Sequence, residues 1–315
     1  MNIELITPLI NNTTNGNYVT AQRVGSILRQ LGHQVTISHR YDSKPCDLLL
    51  ALHALHSYES IKLFHDRYPN RPLIVMLTGT DLYNYINIAS QARRSLELAT
   101  RLVVLQKRGL LAIPEHLREK TRVIYQSSHT IKRTTLSTEY FQVCVIGNLR
   151  QEKDPLRTAL AVRKLPASSR VRVIHVGQAL NDEMEKSILA EIADNPRYQW
   201  VGPLTHQETK KVLAASHLVS ITSRMEGSSN VLCEALAASL PVIASYIPGL
   251  IGTLGEDYPG YFPVGDTDSL TKLIDRTETD ASFYQKLQQH CAQLSFLVDP
   301  DNERRCWQQL LAEIA

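Results

Sequence analysis

Glu226-Gly-Ser-Ser-Asn-Val-Leu-Cys-Glu234 runs straight into Ala-Leu-Ala-Ala-Ser-Leu-Pro-Val (235–242). Two carboxylates stand eight positions apart, with a polar turn after the first and a helix-like run carrying the second. Val-Ser-Ile-Thr-Ser (219–223) just before them reads as a buried strand, and Ser228 to Asn230 as the cap of a helix reaching about Ser239. Glu226 then falls at the carboxyl end of a strand and Glu234 about one and a half turns into the helix. In open α/β sheets ligands bind at that edge. Exposed N–H groups at a helix start suit a phosphate, and fixed carboxylates each accept sugar hydroxyls. Together these are the requirements of a nucleotide-sugar.

The rest of the chain supports an α/β reading. Strand-like runs in the first half are Ile3–Thr7, Gln34–Ser38, Asp47–Leu52, Pro72–Leu77, Arg101–Leu105 and Arg122–Tyr125. Helical patterns between them include Tyr18–Leu31, Ser57–Arg67 and Ile88–Ala99. The alternation restarts with Phe141–Ile146, Val171–Val176, Tyr198–Val201, Leu218–Thr222 and Pro241–Ala244, with helices near Asp154–Lys164, Asp182–Ala193, His206–Ala215 and Asn230–Ser239. Such alternation implies parallel sheets with right-handed crossovers. The Ser/Thr-rich stretch Ser127–Glu139 is the expected linker. The expected division is 1–133, 134–300 and a last helix in 301–315 that crosses back to the first domain and whose Trp307, Leu310, Leu311 and Ile314 need an apolar partner.

Composition bounds the function. A chain of 315 residues with 43% hydrophobic and 21% charged residues has the make-up of a globular two-domain protein. A net charge of +3, without a Lys/Arg block, gives no reason to expect a nucleic-acid partner. No apolar run spans a bilayer, and Met1-Asn-Ile-Glu-Leu-Ile-Thr-Pro reads as a first strand rather than a leader. Cys46, Cys144, Cys233, Cys291 and Cys306 form neither a metal spacing nor a disulfide frame, so a cytoplasmic location is expected. No divalent metal and no prosthetic group is implied.

A bare pair of glutamates at this spacing also arises from unrelated surface charges. With Ser223, Gly227 and Ala235 around it, however, the segment resembles the Ser-x-x-Glu-Gly-x-x-x-x-x-x-Glu-Ala signature of GT4-type glycosyltransferases. The resemblance implies a GT-B fold, two Rossmann-like domains with parallel sheets facing across a cleft, and a UDP-sugar as co-substrate. Glu234 is then expected on the ribose, and Glu226, Gly227, Ser228, Ser229 and Asn230 on the sugar and diphosphate.

Gly147-Asn-Leu-Arg-Gln-Glu-Lys-Asp-Pro155 follows the strand Phe141–Ile146 and resembles the family's Gly-Arg-Leu-x-x-Glu-Lys-Gly loop. Gly147 permits close backbone approach to a ligand, and Lys153 matches the family lysine on the diphosphate. The family arginine falls on Asn148, so Arg150 is the alternative cation. A solvated basic turn is the plain alternative for both charges. Thr13-Thr-Asn-Gly-Asn (13–17) sits where the family has its Gly-rich first loop, which implies Gly16 and Asn17 at the donor.

Further strand ends offer acceptor residues. His53 and His56 follow one strand and Thr78-Gly79-Thr80-Asp81 another; Gln106, at the end of a third, borders the expected cleft but is not taken as a site residue. For His53 and His56 a surface-helix position and for Asp81 a helix cap are the plain alternatives. Arg23, on the first helix, is a further candidate.

Asn17-Tyr-Val-Thr-Ala, Ala51-Leu-His, Leu77-Thr-Gly-Thr-Asp-Leu-Tyr and Gly147-Asn-Leu-Arg-Gln-Glu-Lys-Asp-Pro are similar to the selenosugar synthase branch (SenB type) of selenoneine biosynthesis. That implies transfer of glucose or N-acetylglucosamine from a UDP-sugar to selenophosphate, giving a 1-selenosugar, UDP and phosphate. Selenophosphate synthetase and selenoneine synthase would be functional neighbours. An anionic acceptor needs no base, so a basic pocket of Arg23, His53 and the amides near Gly16 and Gly79 is expected, with Asp81 positioning. The alternatives are an ordinary glycosyltransferase acting on a hydroxyl, and a non-catalytic nucleotide-sugar-binding protein.

Overall fold

The computed structural model of the chain describes residues 1–8 and 16–314. It divides into two compact units. The first comprises Met1–Ser127, Glu226–Ser228 and Pro300–Ala315; the second comprises Ser128–Met225 and Ser229–Asp299. Each is built on one six-stranded, all-parallel sheet.

The first unit contains β1 (Asn2–Ile6), β2 (Gln34–Ser38), β3 (Leu48–Leu52), β4 (Leu73–Met76), β5 (Arg101–Val104) and β6 (Thr121–Val123), in the order β2-β1-β3-β4-β5-β6. Leu48-Leu-Leu-Ala-Leu52 is buried at every position, because helices cover both faces of a central parallel strand. At the edge, β2 is only half-buried, and its Val/Thr/Ile content reads correspondingly mixed. The order reverses between β1 and β3, so the chain diverges there and leaves a crevice at the strands' carboxyl ends.

The second unit contains β7 (Phe141–Ile146), β8 (Val171–Val176), β9 (Tyr198–Trp200), β10 (Leu218–Ile221), β11 (Val242–Ser245) and β12 (Tyr261–Phe262), ordered β12-β11-β10-β7-β8-β9. Here the reversal lies between β7 and β10. The loops that leave those two strands are the ones carrying Gly147–Asp154 and Thr222–Glu226. The two-residue β12 has no counterpart among the expected strands, since Tyr261-Phe262 is too short to show a period.

Two local differences from expectation have clear causes. The helix expected from Asp154 starts at Arg157, after a 3-10 turn over Gln151–Lys153. Asp154 takes a left-handed conformation (φ 46°) and its carboxylate pairs with Arg157 Nε at 2.9 Å, which delays the helix. The segment after β4 is no open loop but a single π-helical turn, Asp81–Tyr85.

The terminal helix Pro300–Ala312 belongs to the first unit, with Pro300 suited to a first turn. Trp307, Leu310 and Leu311 share a core with Leu5, Leu28, Leu50 and Met76. Burying a large apolar side chain contributes roughly 2–3 kcal/mol. Glu303, on the same helix, is buried and fully engaged. It accepts from Arg23 Nε (3.1 Å) and from the backbone N–H of Ser127 (2.6 Å). Arg23 also donates to Gln126 Oε1 at 2.7 Å, which Thr20 shares at 3.0 Å. A buried carboxylate tolerates desolvation only when paired in this way.

Candidate functional site

In the second unit, the loops after β7 and β10 are tied to one another. Thr222 Oγ1, buried at the end of β10, donates to the carbonyls of Lys153 (2.9 Å) and Asp154 (3.0 Å). The backbone N–H of Arg224 donates to the carbonyl of Glu152 at 2.8 Å, and the Arg224 guanidinium lies 3.6 Å from Asp154. Lys153 is thereby placed at the switch point by its main chain, with its side chain half-buried. Arg150 is exposed.

Gly147 is fixed from the other side. The N–H of Gly147 donates to Val176 O (2.9 Å), and Gly147 O accepts from His175 Nε2 at 3.2 Å. Tyr198 Oη lies 2.6 Å from His175 Nδ1 and donates to it, so the imidazole carries its proton on Nε2. Burial pushes His175 down to about 4, against a smaller opposing effect of the Gly147 carbonyl, so the ring is neutral at pH 7. The backbones are in intimate contact: a Cβ on Gly177 would sit 1.9 Å from Gly147 O. Asn148, where the family has arginine, turns its side-chain carbonyl to the N–H of Gln178 at 3.1 Å. It therefore shapes the loop and brings no charge.

Ser229 caps the helix Asn230–Ala237, its hydroxyl accepting from Leu232 N at 3.4 Å. Buried Ser223 precedes the turn, its carbonyl accepting from Ser245 Oγ. Glu234 lies on that helix with its side chain 12% exposed, 3.7 Å from His206 Nδ1. Thr205 and Glu208 form a capping box that sets His206 at the start of its own helix.

In the first unit, the ends of β3, β4 and β5 converge with the segment Glu226–Ser228. His53 is buried with φ 71°, a left-handed conformation costly for a non-glycine residue. Its Nδ1 accepts from the His56 N–H (3.2 Å), so Nε2–H donates to Thr80 Oγ1 at 3.1 Å. His56 stacks on His53 with centroids 4.0 Å apart, and both rings border Tyr85. Desolvation and then the neighbouring His53 lower the His56 basicity. Asp81 is completely buried. It accepts from the N–H groups of Thr78 and Gly79 (2.9 Å each) and of Ala54 (2.9 Å). It is a backbone clamp joining two loops rather than the cap of an α-helix.

Gly79 and Gly227 meet backbone to backbone. A Cβ on Gly227 would lie 2.4 Å from Thr78 O, and one on Gly79 2.8 Å from Gly227 N. Gly79 also has φ +145°. Gln106, fully buried at the end of β5, donates from Nε2 to Gly227 O (3.2 Å) and to Tyr83 Oη (2.6 Å), and its Oε1 accepts from Gly109 N (3.0 Å).

Thus Gly147, Asn148, Arg150, Lys153, Ser229, Asn230 and Glu234 are placed by the second unit. Arg23, His53, Thr78, Gly79, Thr80, Asp81, Glu226, Gly227 and Ser228 are placed by the first. Gly16 and Asn17 are the first two residues of the helix Gly16–Gln30; the preceding Thr13-Thr-Asn lies outside the described residues. Arg23 is engaged with Glu303 and Gln126 rather than turned wholly to a ligand. Thr222 and His175 went unnoticed in the sequence, where each is merely one more residue of a strand. Among the described residues, no group of three or more His, Cys, Asp or Glu side chains is arranged to hold a metal ion. Among the same residues, no helix is long and apolar enough to cross a membrane.

Two parallel six-stranded Rossmann-like sheets, with ligand-type loops at a switch point, define an α/β protein of the GT-B class. Residues 127–293, more than half of the chain, match the family of glycosyl transferases group 1, and the chain belongs to that family. It is 25% identical over 166 residues to the D-inositol 3-phosphate glycosyltransferase of Corynebacterium efficiens; the match takes in 49% of this chain and 39% of that protein. HepE of Anabaena, solved in complex with UDP-glucose, superposes with a TM-score of 0.80 at 17% identity, over 99% of this chain and 100% of that one. Sucrose-phosphate synthase from Thermosynechococcus elongatus gives a TM-score of 0.80 at 17% identity, over 99% and 98% of the two chains.

Proposed function

We propose that this chain transfers glucose or N-acetylglucosamine from a UDP-sugar to selenophosphate. Selenium attacks C1 of the sugar and the C1–O bond breaks, releasing UDP. Water then cleaves the Se–P bond, leaving phosphate and a 1-selenosugar. The observation that carries the donor half is the fastening of the Gly147–Asp154 loop to the end of β10, which holds Lys153 at the switch point. Lys153, with Arg150, stabilises charge developing on the departing diphosphate, while Glu234 accepts the ribose hydroxyls. Glu226 and the Gly227–Asn230 turn hold the sugar. Preorganised charge of this kind is typically the largest catalytic contribution, about 3 kcal/mol per donor. HepE, alike in fold, binds UDP-glucose, which favours a uridine donor.

The acceptor half draws support from Asp81. Three backbone N–H groups occupy this carboxylate and no surface of it meets solvent, so it is a poor base for a hydroxyl acceptor. Selenophosphate arrives already anionic with a soft nucleophilic selenium, and needs none. A hydroxyl acceptor such as a phosphorylated polyol is the competing reading, favoured by the name of the inositol-phosphate relative. Purified protein incubated with UDP-glucose or UDP-N-acetylglucosamine and fresh selenophosphate should yield a sugar with the selenium isotope pattern in mass spectrometry. Turnover on inositol phosphate without a selenium product would replace this reading by the competing one.

A further inference from the structure

The Glu226–Ser228 segment poses a mechanical problem. Both its flanks belong to the second unit, yet the three residues group with the first. They pack backbone to backbone against Thr78–Gly79, and the buried side chain of Gln106 bonds the carbonyl of Gly227. Gln106 is fully buried and none of its polar atoms is wasted. Oε1 accepts from Gly109 N, which fixes the amide's orientation and turns Nε2 toward Gly227 O and Tyr83 Oη. Burial holds the Tyr83 hydroxyl above its ordinary range, so it stays a neutral partner for that amide.

We infer that Gln106 is a positioning residue for Glu226: it grips the carbonyl of the next residue and so sets where the Glu226 carboxylate stands. This rests on the reading of Glu226 as the group that holds the transferred sugar. A glycine carbonyl has no side chain of its own to anchor it, and the packing of Gly79 against Gly227 leaves no room for a Cβ on either residue, which sets how near the two loops come. The hydrogen bond from Gln106 adds an attraction at that carbonyl. The bond from Gln106 reaches the residue next to Glu226, so its loss should disturb the sugar-transfer step more than donor binding.

The test pairs Gln106→Leu with Gln106→Glu. Leucine keeps the volume and removes the tether. Glutamate keeps an acceptor for Gly109 N–H, but offers a donor to Gly227 O only while protonated; its burial raises its pKa. Hydrogen exchange of the peptide covering residues 224–230 is measured in wild type and both variants, together with UDP release from UDP-glucose in the presence of selenophosphate. For Gln106→Leu we expect faster exchange in that peptide and turnover reduced on the order of 10- to 100-fold, as for a displacement near 1 Å. The KM for the donor should change by no more than about twofold. Gln106→Glu should recover turnover relative to wild type as pH falls, a response no purely structural role would give. Unchanged exchange in Gln106→Leu would overturn the tether, whatever the activity. Faster exchange in a protein whose wild type turns over no UDP-sugar would leave the tether standing and overturn the role given to Glu226.

Discussion

Gly177→Ala confronts the Gly147–Asp154 loop with its tightest contact. The new Cβ would lie 1.9 Å from Gly147 O, 2.5 Å from Gly147 C and 3.1 Å from Asn148 N. All three are backbone atoms, so no side chain can rotate away. Restoring an ordinary separation of 3.4 Å to the carbonyl requires the Gly147–Asn148 peptide to retreat by about 1.5 Å. That movement breaks the 3.2 Å bond from His175 Nε2 and strains the one from Gly147 N to Val176 O. Overpacking of this kind costs about 1–3 kcal/mol, and a lost buried hydrogen bond about 1 more. Lys153 is held separately by Thr222, so the displacement concentrates at Gly147 and Asn148. A 1 Å misplacement at a reacting centre costs on the order of 100-fold. Urea unfolding and initial rates of UDP release, run on the same preparation, read both effects. Expected are a stability loss of about 2–4 kcal/mol and a fall of roughly 100-fold in kcat/KM for the donor. Wild-type stability would refute the packing argument; lost stability with an unchanged rate would refute the placement of Gly147 at the donor.

Other outcomes follow from the same geometry. On the proposed roles, Glu234→Ala should raise the donor KM far more than it lowers kcat, because a ribose contact would persist from ground to transition state, whereas Lys153→Ala should chiefly lower kcat; steady-state kinetics with varied UDP-sugar separates them. His175 has a folded value of about 4 against an ordinary 6.5, so its stabilisation is complete above pH 6.5 and is lost as pH falls towards 4. About 2 kcal/mol should disappear between pH 7 and pH 5, a loss that His175→Gln would not show in urea titrations at the two values. Trp307→Ala should destabilise the first unit by about 3–5 kcal/mol, read as a lowered urea midpoint.

The strands were legible because burial on two faces demands apolar runs, as in Leu48–Leu52, and the Ser229 cap because its hydroxyl precedes a helical pattern. The loops Gly147–Asp154 and Thr222–Glu226 were legible as loops for a related reason: each directly follows such a strand. What escaped was set by contacts distant in sequence. Gln106 looks like any polar residue after a strand, and only its bond to Gly227, 121 residues away, gives it a task. Asp81 carries the same carboxylate whether it faces a ligand or three backbone N–H groups, and residue type alone leaves that undecided. Asp154 adopts a left-handed backbone because its carboxylate pairs with Arg157 and Thr222 takes its carbonyl, neither of which helix propensity records.

Phosphorus NMR of one reaction mixture tests the central claim most directly, since UDP-sugar, UDP, selenophosphate and orthophosphate are all visible in a single spectrum. With UDP-glucose or UDP-N-acetylglucosamine and selenophosphate present, the expected result is matched appearance of UDP and orthophosphate, both dependent on the protein and absent with Lys153→Ala. UDP formed without consumption of selenophosphate, or no change in either substrate, would contradict it.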